Sequence, residues 1–199
     1  MGYYDKNKEA IKTRYQDSYE EIFERMEKEV TSEYQVESIV ARDGNHALTV
    51  EKDGDKFRLN SVYRPLEEAK KWADQYEFQN LDVNVFMFGF GNGIFVRELL
   101  HRTQSDARVY LWEPNVSIFR KVMEEEDLEE ILKDKRLYLY IGEDGLKELK
   151  EAMECSVSWH NMPSQIRCAH VCYDRLHEEE YLEFLKAIKY SDSMVQVKR

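Results

Sequence analysis

Three glycines at alternate positions, Gly89, Gly91 and Gly93, with Phe90 and Asn92 between them, are the residues of this sequence best suited to holding a ligand. Glycine admits positive φ and carries no Cβ, so such a chain can turn sharply and bring its backbone close to another group. Where the turn opens a helix, free N–H groups and the positive end of the helix dipole face its contents. Glu113 stands about 22 residues beyond Gly91, at the end of the next apolar run, Val109-Tyr110-Leu111-Trp112. A carboxylate in that place accepts from the hydroxyls of a ribose. Gly89, Phe90, Gly91, Asn92, Gly93 and Glu113 therefore describe a pocket for a nucleotide-type ligand. The same turn also serves packing alone, and the sequence leaves both readings open.

Other residues offer less. Cys168-Ala169-His170-Val171-Cys172 suggests metal ligands. In a strand, however, the two cysteine α-carbons lie about 13 Å apart. Zinc–sulfur bonds of about 2.3 Å do not span that distance. A buried strand is expected here and no metal site. His160, in the loop Trp159-His160-Asn161-Met162-Pro163, has no evident orienting partner, and His177-Glu178-Glu179-Glu180 lacks the second histidine of a metalloprotease helix. No P-loop or G-x-S-x-G turn is present, so catalytic residues stay unassigned.

The elements that must position these residues follow from periodicity. Val83–Phe88 reads as a buried strand entering the glycine turn, and Ile94–Leu100 as the helix leaving it. Further strands are expected at Val109–Trp112, Leu137–Ile141 and Ile166–Val171, with a last short one at Met194–Val197. Helical patterns fall at Val116–Met123, Leu128–Leu132, Leu146–Met153 and Glu178–Tyr190. Strands alternating with helices predict a Rossmann-like α/β fold with a mainly parallel sheet. Ahead of it, Ile11, Tyr15, Tyr19, Ile22, Phe23, Met26 and Val30 form one stripe of a helix over Lys6–Val30. Three alternating runs bracketed by Asp43-Gly44-Asn45 and Asp53-Gly54-Asp55 predict a small antiparallel meander. Pro65 suits the first turn of a following helix. The expected organisation is residues 1–62 as helix plus meander and 63–199 as the α/β domain.

Composition narrows the partners. The chain has 199 residues, 35% charged and 42% hydrophobic, with a net charge of −11, which is ordinary for a globular domain. No basic face opposes phosphate repulsion, so nucleic acid is not an expected partner. No apolar run approaches the roughly 20 residues of a membrane helix. Three scattered cysteines suggest free thiols in a reducing compartment, and a cytoplasmic location is expected.

The G-x-G-x-G spacing is similar to that of S-adenosylmethionine-binding folds, in place of the G-x-G-x-x-G dinucleotide fingerprint. That class carries an acid two residues before the first glycine, where Met87 stands here. The chain more broadly resembles the N-terminal domain of the motility accessory factor family, glycosyltransferases that modify flagellin. The resemblance is carried by Ser61-Val62-Tyr63-Arg64-Pro65-Leu66-Glu67-Glu68-Ala69, Phe88–Gly93, Leu111-Trp112-Glu113-Pro114-Asn115 with Phe119, and Lys135-Arg136-Leu137 with Ile141-Gly142. His170-Val171-Cys172-Tyr173 with Glu180-Tyr181 and Phe184 extends it. It implies a Rossmann-like domain, a nucleotide or nucleotide-sugar ligand, and flagellin or a separate C-terminal catalytic domain as partner. In that family, sugar transfer is assigned to a central domain that this sequence does not match. The implied function is an accessory or binding domain in protein glycosylation, with a methyltransferase or a non-catalytic interaction domain as alternatives.

Overall fold

The computed structural model describes residues 2–156 and 164–197. Two helices, α1 (Tyr3–Arg14) and α2 (Tyr19–Lys28), precede an antiparallel sheet of β1 (Gln35–Val40), β2 (His46–Lys52) and β3 (Asp55–Arg58). After α3 (Pro65–Ala73) come β4 (Val83–Phe88), α4 (Ile94–Arg102), β5 (Arg108–Glu113), α5 (Val116–Glu125), α6 (Glu129–Lys133) and β6 (Leu137–Ile141). The chain closes with α7 (Gly145–Ser156), β7 (Ser164–Ala169), α8 (Tyr173–Leu176) and α9 (Glu178–Val197). The second sheet is parallel, in the order β6-β5-β4-β7. The protein is thus a Rossmann-like α/β fold. Its strand order reverses between β4 and β7, the place where such sheets leave a crevice at their carboxyl edge.

The sequence explains the layers. All six residues of β4 are buried, as expected of a central strand covered by helices on both faces. On one face Phe86, Tyr110 and Tyr138 stack in adjacent strands, their centroids 5.3 and 5.2 Å apart. Further up that face Phe184 of α9 lies 5.4 Å from Phe88. α5 starts where Asn115 accepts the Ile118 amide at 3.0 Å, an N-cap that satisfies one orphan donor.

The N-terminal stripe folds differently from expectation. It forms two helices, and one buried apolar cluster joins Ala10, Ile11, Ile22, Met26, Leu48 and Val50 to the strands of the parallel sheet. The position at 62 does not separate two cores. Buried Asn7 fixes α1 in place: it donates to Met123 O (2.9 Å) and Glu126 O (2.7 Å) and accepts from Leu128 N (2.9 Å). The Tyr15 hydroxyl donates to Leu137 O (3.2 Å) and accepts from Leu139 N (3.1 Å). It pairs the outer edge of β6, which would otherwise stand open to another strand.

Two other expectations are corrected. Met194–Val197 continues α9 and is not a strand. β7 ends at Ala169, so Cys172 is not in a strand; it holds a left-handed conformation, φ +67°, and starts α8. The loop containing His160 lies outside the described residues.

Candidate functional site

The turn after β4 has the backbone that its glycines permit: φ is +90° at Gly89, +58° at Gly91 and +86° at Gly93. Its amides are engaged within the protein. Gly89 N donates to Trp112 O (2.9 Å), Gly93 N to Phe90 O (3.1 Å) and Ile94 N to Asn92 Oδ1 (3.3 Å). Phe90 N donates to Glu113 Oε2 (2.7 Å) and Gly91 N to the Tyr173 hydroxyl (3.2 Å). Asn92 reaches outward to the meander. It donates to His46 O (2.7 Å) and accepts from Asn60 Nδ2 (3.3 Å), and Asn60 in turn accepts from Leu48 N (3.1 Å). The antiparallel sheet is thereby fastened over the turn.

Glu113 is completely buried at the end of β5. Its Oε2 also accepts from the Tyr173 hydroxyl (2.8 Å), and its Oε1 accepts from Asn115 N (2.8 Å). Burial pushes this carboxyl up to about 7 against the pull of its donors. The expected acid and glycine turn therefore meet, but the acid faces the turn and the tyrosine.

The space beside the glycines is filled by two side chains that the sequence did not single out for this role. A Cβ at Gly89 would stand 2.5 Å from the Tyr173 ring, and one at Gly91 would overlap the His170 imidazole. Tyr173 is held among Phe88, His170 and His177, with ring centroids 6.0, 5.1 and 5.7 Å away. His170 leaves β7 at the strand-order reversal. Its amide donates to Phe88 O (2.8 Å), and its ring lies 4.4 Å from that of Phe95. Its Nδ1 lies 2.9 Å from Val171 O, the geometry of an Nδ1–H donor. Nε2 is buried and has no hydrogen-bond partner among the described residues. Burial lowers the imidazole to about 4, so it is neutral near pH 7.

His177 completes the cluster. Its Nε2 lies 3.1 Å from Asn115 Nδ2, and burial together with the Lys52 charge lowers it to about 4. One signal for these residues was present in the sequence: His170-Val171-Cys172-Tyr173 is a block of the family resemblance. Read as a strand, that block conceals the turn at Cys172 that brings His170 and Tyr173 together. Away from this cluster, a surface cleft of about 550 Å³ opens between α2, β1 and α5, lined by Met26, Tyr34, Val36 and Arg120. No helix among the described residues is long and apolar enough to cross a membrane.

No protein-family model matches the sequence, and no curated protein matches it. Among solved structures, the fold is similar to MAf glycosyltransferase from Magnetospirillum magneticum AMB-1. The TM-score is 0.57 at 16% identity, covering 91% of this chain and 35% of that one. MnmC2 from Aquifex aeolicus aligns at a TM-score of 0.46 and 16% identity, over 88% of this chain and 63% of that one. The first likeness establishes a related fold. The chain spans about a third of the glycosyltransferase's length, 35%.

Proposed function

We propose that this protein is an accessory module in protein glycosylation, of the kind joined to a motility accessory factor glycosyltransferase, and that it transfers no sugar itself. One observation carries the reading: 91% of the chain aligns with a 35% portion of MAf glycosyltransferase. Flagellin is the acceptor that the sequence resemblance implies, and a chain bearing the transfer domain is the implied partner. In this role the closed cluster of Tyr173, His170 and Glu113 makes a rigid block that holds the meander, the glycine turn and α8 as one surface.

A methyltransferase is the alternative favoured by the glycine turn and the strand-terminal acid. Met87 stands where that class has an acid, and Tyr173 and His170 fill the turn; both count against it.

The test is reconstitution. Flagellin is incubated with a CMP-activated nonulosonic acid and a transfer-domain chain, with and without this protein, and its intact mass is followed. The protein alone adds no mass, and its addition raises the yield of the transfer chain. No change in yield, together with methylation of any supplied protein from S-adenosylmethionine, would replace this proposal with the alternative.

A further inference from the structure

We infer that the outer edge of β3, with the cleft between it and α8, is a docking site for an acidic, extended segment of a partner protein, which adds to the meander as a fourth strand. The inference goes beyond the accessory role and is tested separately from it.

The edge supplies the backbone groups. β3 ends the sheet order β1-β2-β3, and among the described residues it pairs with β2 alone. Leu59 N donates to Leu48 O (2.9 Å), and Lys52 stands opposite Asp55 across the tight turn. Bonded and unbonded positions alternate along an antiparallel pair. Asp55, Phe57 and Leu59 therefore bond inward to β2, and Lys56 and Arg58 turn their N–H and C=O groups outward. Of these, Arg58 O accepts from the Cys172 thiol (3.2 Å), which holds the start of α8 at one end of the edge. The other three outward groups are open to another strand.

The charges beside that edge select the strand. A cleft of about 460 Å³ is lined by Lys56, Arg58 and Arg175, with Asp55 as the one acid of its lining. Lys56 pairs with Glu51 at 3.5 Å. Neither Arg58 nor Arg175 makes an ion pair among the described residues, and the Arg175 guanidinium lies 3.2 Å from the Cys172 sulfur. The chain as a whole carries −11, so this excess of cations is local. Cations along an edge discourage indiscriminate pairing, and they favour an acidic strand through opposite charges across the ladder. Side chains alternate along a strand. Lys56 and Arg58 share one face, and Phe57, half-buried, takes the other and packs toward the core. The fitting segment therefore alternates acidic and apolar residues.

Fluorescence anisotropy on the full chain tests this, with a labelled pentapeptide of alternating glutamate and valine as the probe. The parent protein is expected to bind it. The double variant Arg58→Glu with Arg175→Glu should bind it at least roughly tenfold more weakly; both side chains are exposed, so the fold is kept. The same peptide N-methylated at every amide keeps its charge and loses its ladder donors, and should also bind roughly tenfold more weakly. No binding at millimolar peptide, equal affinity for the N-methylated peptide, or no loss in the double variant overturns the inference. Hydrogen exchange locates the added strand. The peptide is expected to slow exchange of the Lys56 and Arg58 amides, and unchanged exchange there overturns docking at this edge. Slowing that rises with the protein's own concentration, without peptide, would make a second copy the occupant and overturns the assignment to a partner.

Discussion

Two glycine turns leave the same edge of the parallel sheet, after β4 and after β6, and they are closed by different materials. The β4 turn is filled by aromatic rings: Tyr173 lies against Gly89 and His170 against Gly91. In the β6 turn Gly145 packs on the buried Trp112 ring, but Gly142 is covered by one flexible carboxylate. Glu29, just past α2, lies against Gly142 (φ +79°) and accepts from Glu143 N at 3.0 Å. Rings in a buried cluster have few places to go. A partly exposed carboxylate exchanges its partners for water. The first turn is therefore part of the core throughout, and the second is a covered surface at Gly142.

The largest expected effect separates the two covers. Removing residues 1–30 strips α1 and α2, and with them Glu29 and the Tyr15 hydroxyl that pairs the edge of β6. An unpaired β6 edge and an exposed apolar face follow, so the truncated chain should aggregate on size-exclusion chromatography. A monodisperse monomer would show that the β6 side needs no cover. Next, Tyr173→Ala empties the β4 turn and should cost about 3–5 kcal/mol in urea denaturation. A loss below about 1 kcal/mol would mean that the ring is not part of the core.

Alanine substitution at the two turns makes the comparison direct. Gly91→Ala meets both an unfavourable φ and the packed imidazole, and should cost about 3 kcal/mol. Gly142→Ala meets an unfavourable φ and a side chain that can move, and should cost about 1–2 kcal/mol. Equal costs would erase the distinction between ring and carboxylate.

The smallest effect is on pH dependence. His170 and His177 are lowered from 6.5 to about 4. The unfolded chain therefore binds more protons at these sites between those values, and stability is lost as pH falls from about 6.5 toward 4. Glu113 is an acid raised from 4.5 to about 7. There the folded chain binds more protons, so its contribution is largest below 4.5 and is lost as pH rises toward and past 7. The opposed slopes nearly cancel above pH 6.5, so stability rises from pH 4.5 to a plateau near pH 7 and changes by less than about 0.2 kcal/mol from there to pH 8. Glu113→Gln should lower stability throughout, because one of the amides at Phe90 or Asn115 then loses its acceptor, and should turn the plateau into a continued rise of roughly 0.5–1 kcal/mol between pH 6.5 and 8 in thermal melting, the two histidines being no longer opposed. A variant as flat as the parent over that range would assign the opposing titration to another group.

Much of the fold is legible in local pattern. Val83–Phe88 is apolar apart from Asn84 and is a central strand; Pro65 opens α3; Asp43-Gly44 and Asp53-Gly54 turn the meander. The errors come where local pattern has two tertiary outcomes. The stripe from Ile11 to Val30 suits one helix, but the chain leaves helical geometry between Arg14 and Tyr19 so that its two halves can follow different parts of the parallel domain. Met194–Val197 is apolar enough for a strand, but α9 runs through it. Met87 was legible as a departure from the methyltransferase pattern, because that comparison concerns a single position.

The candidate site divides in the same way. Sequence alone determined that three glycines follow a buried strand and that Glu113 ends the next, because both facts concern neighbours along the chain. What fills the turn was decided only by tertiary structure. The parallel pairing of β7 with β4 and the left-handed turn at Cys172 bring Tyr173 to Gly91 across 82 residues of chain. Hydrophobic alternation records whether a side chain is buried; it carries no information about which buried group it meets.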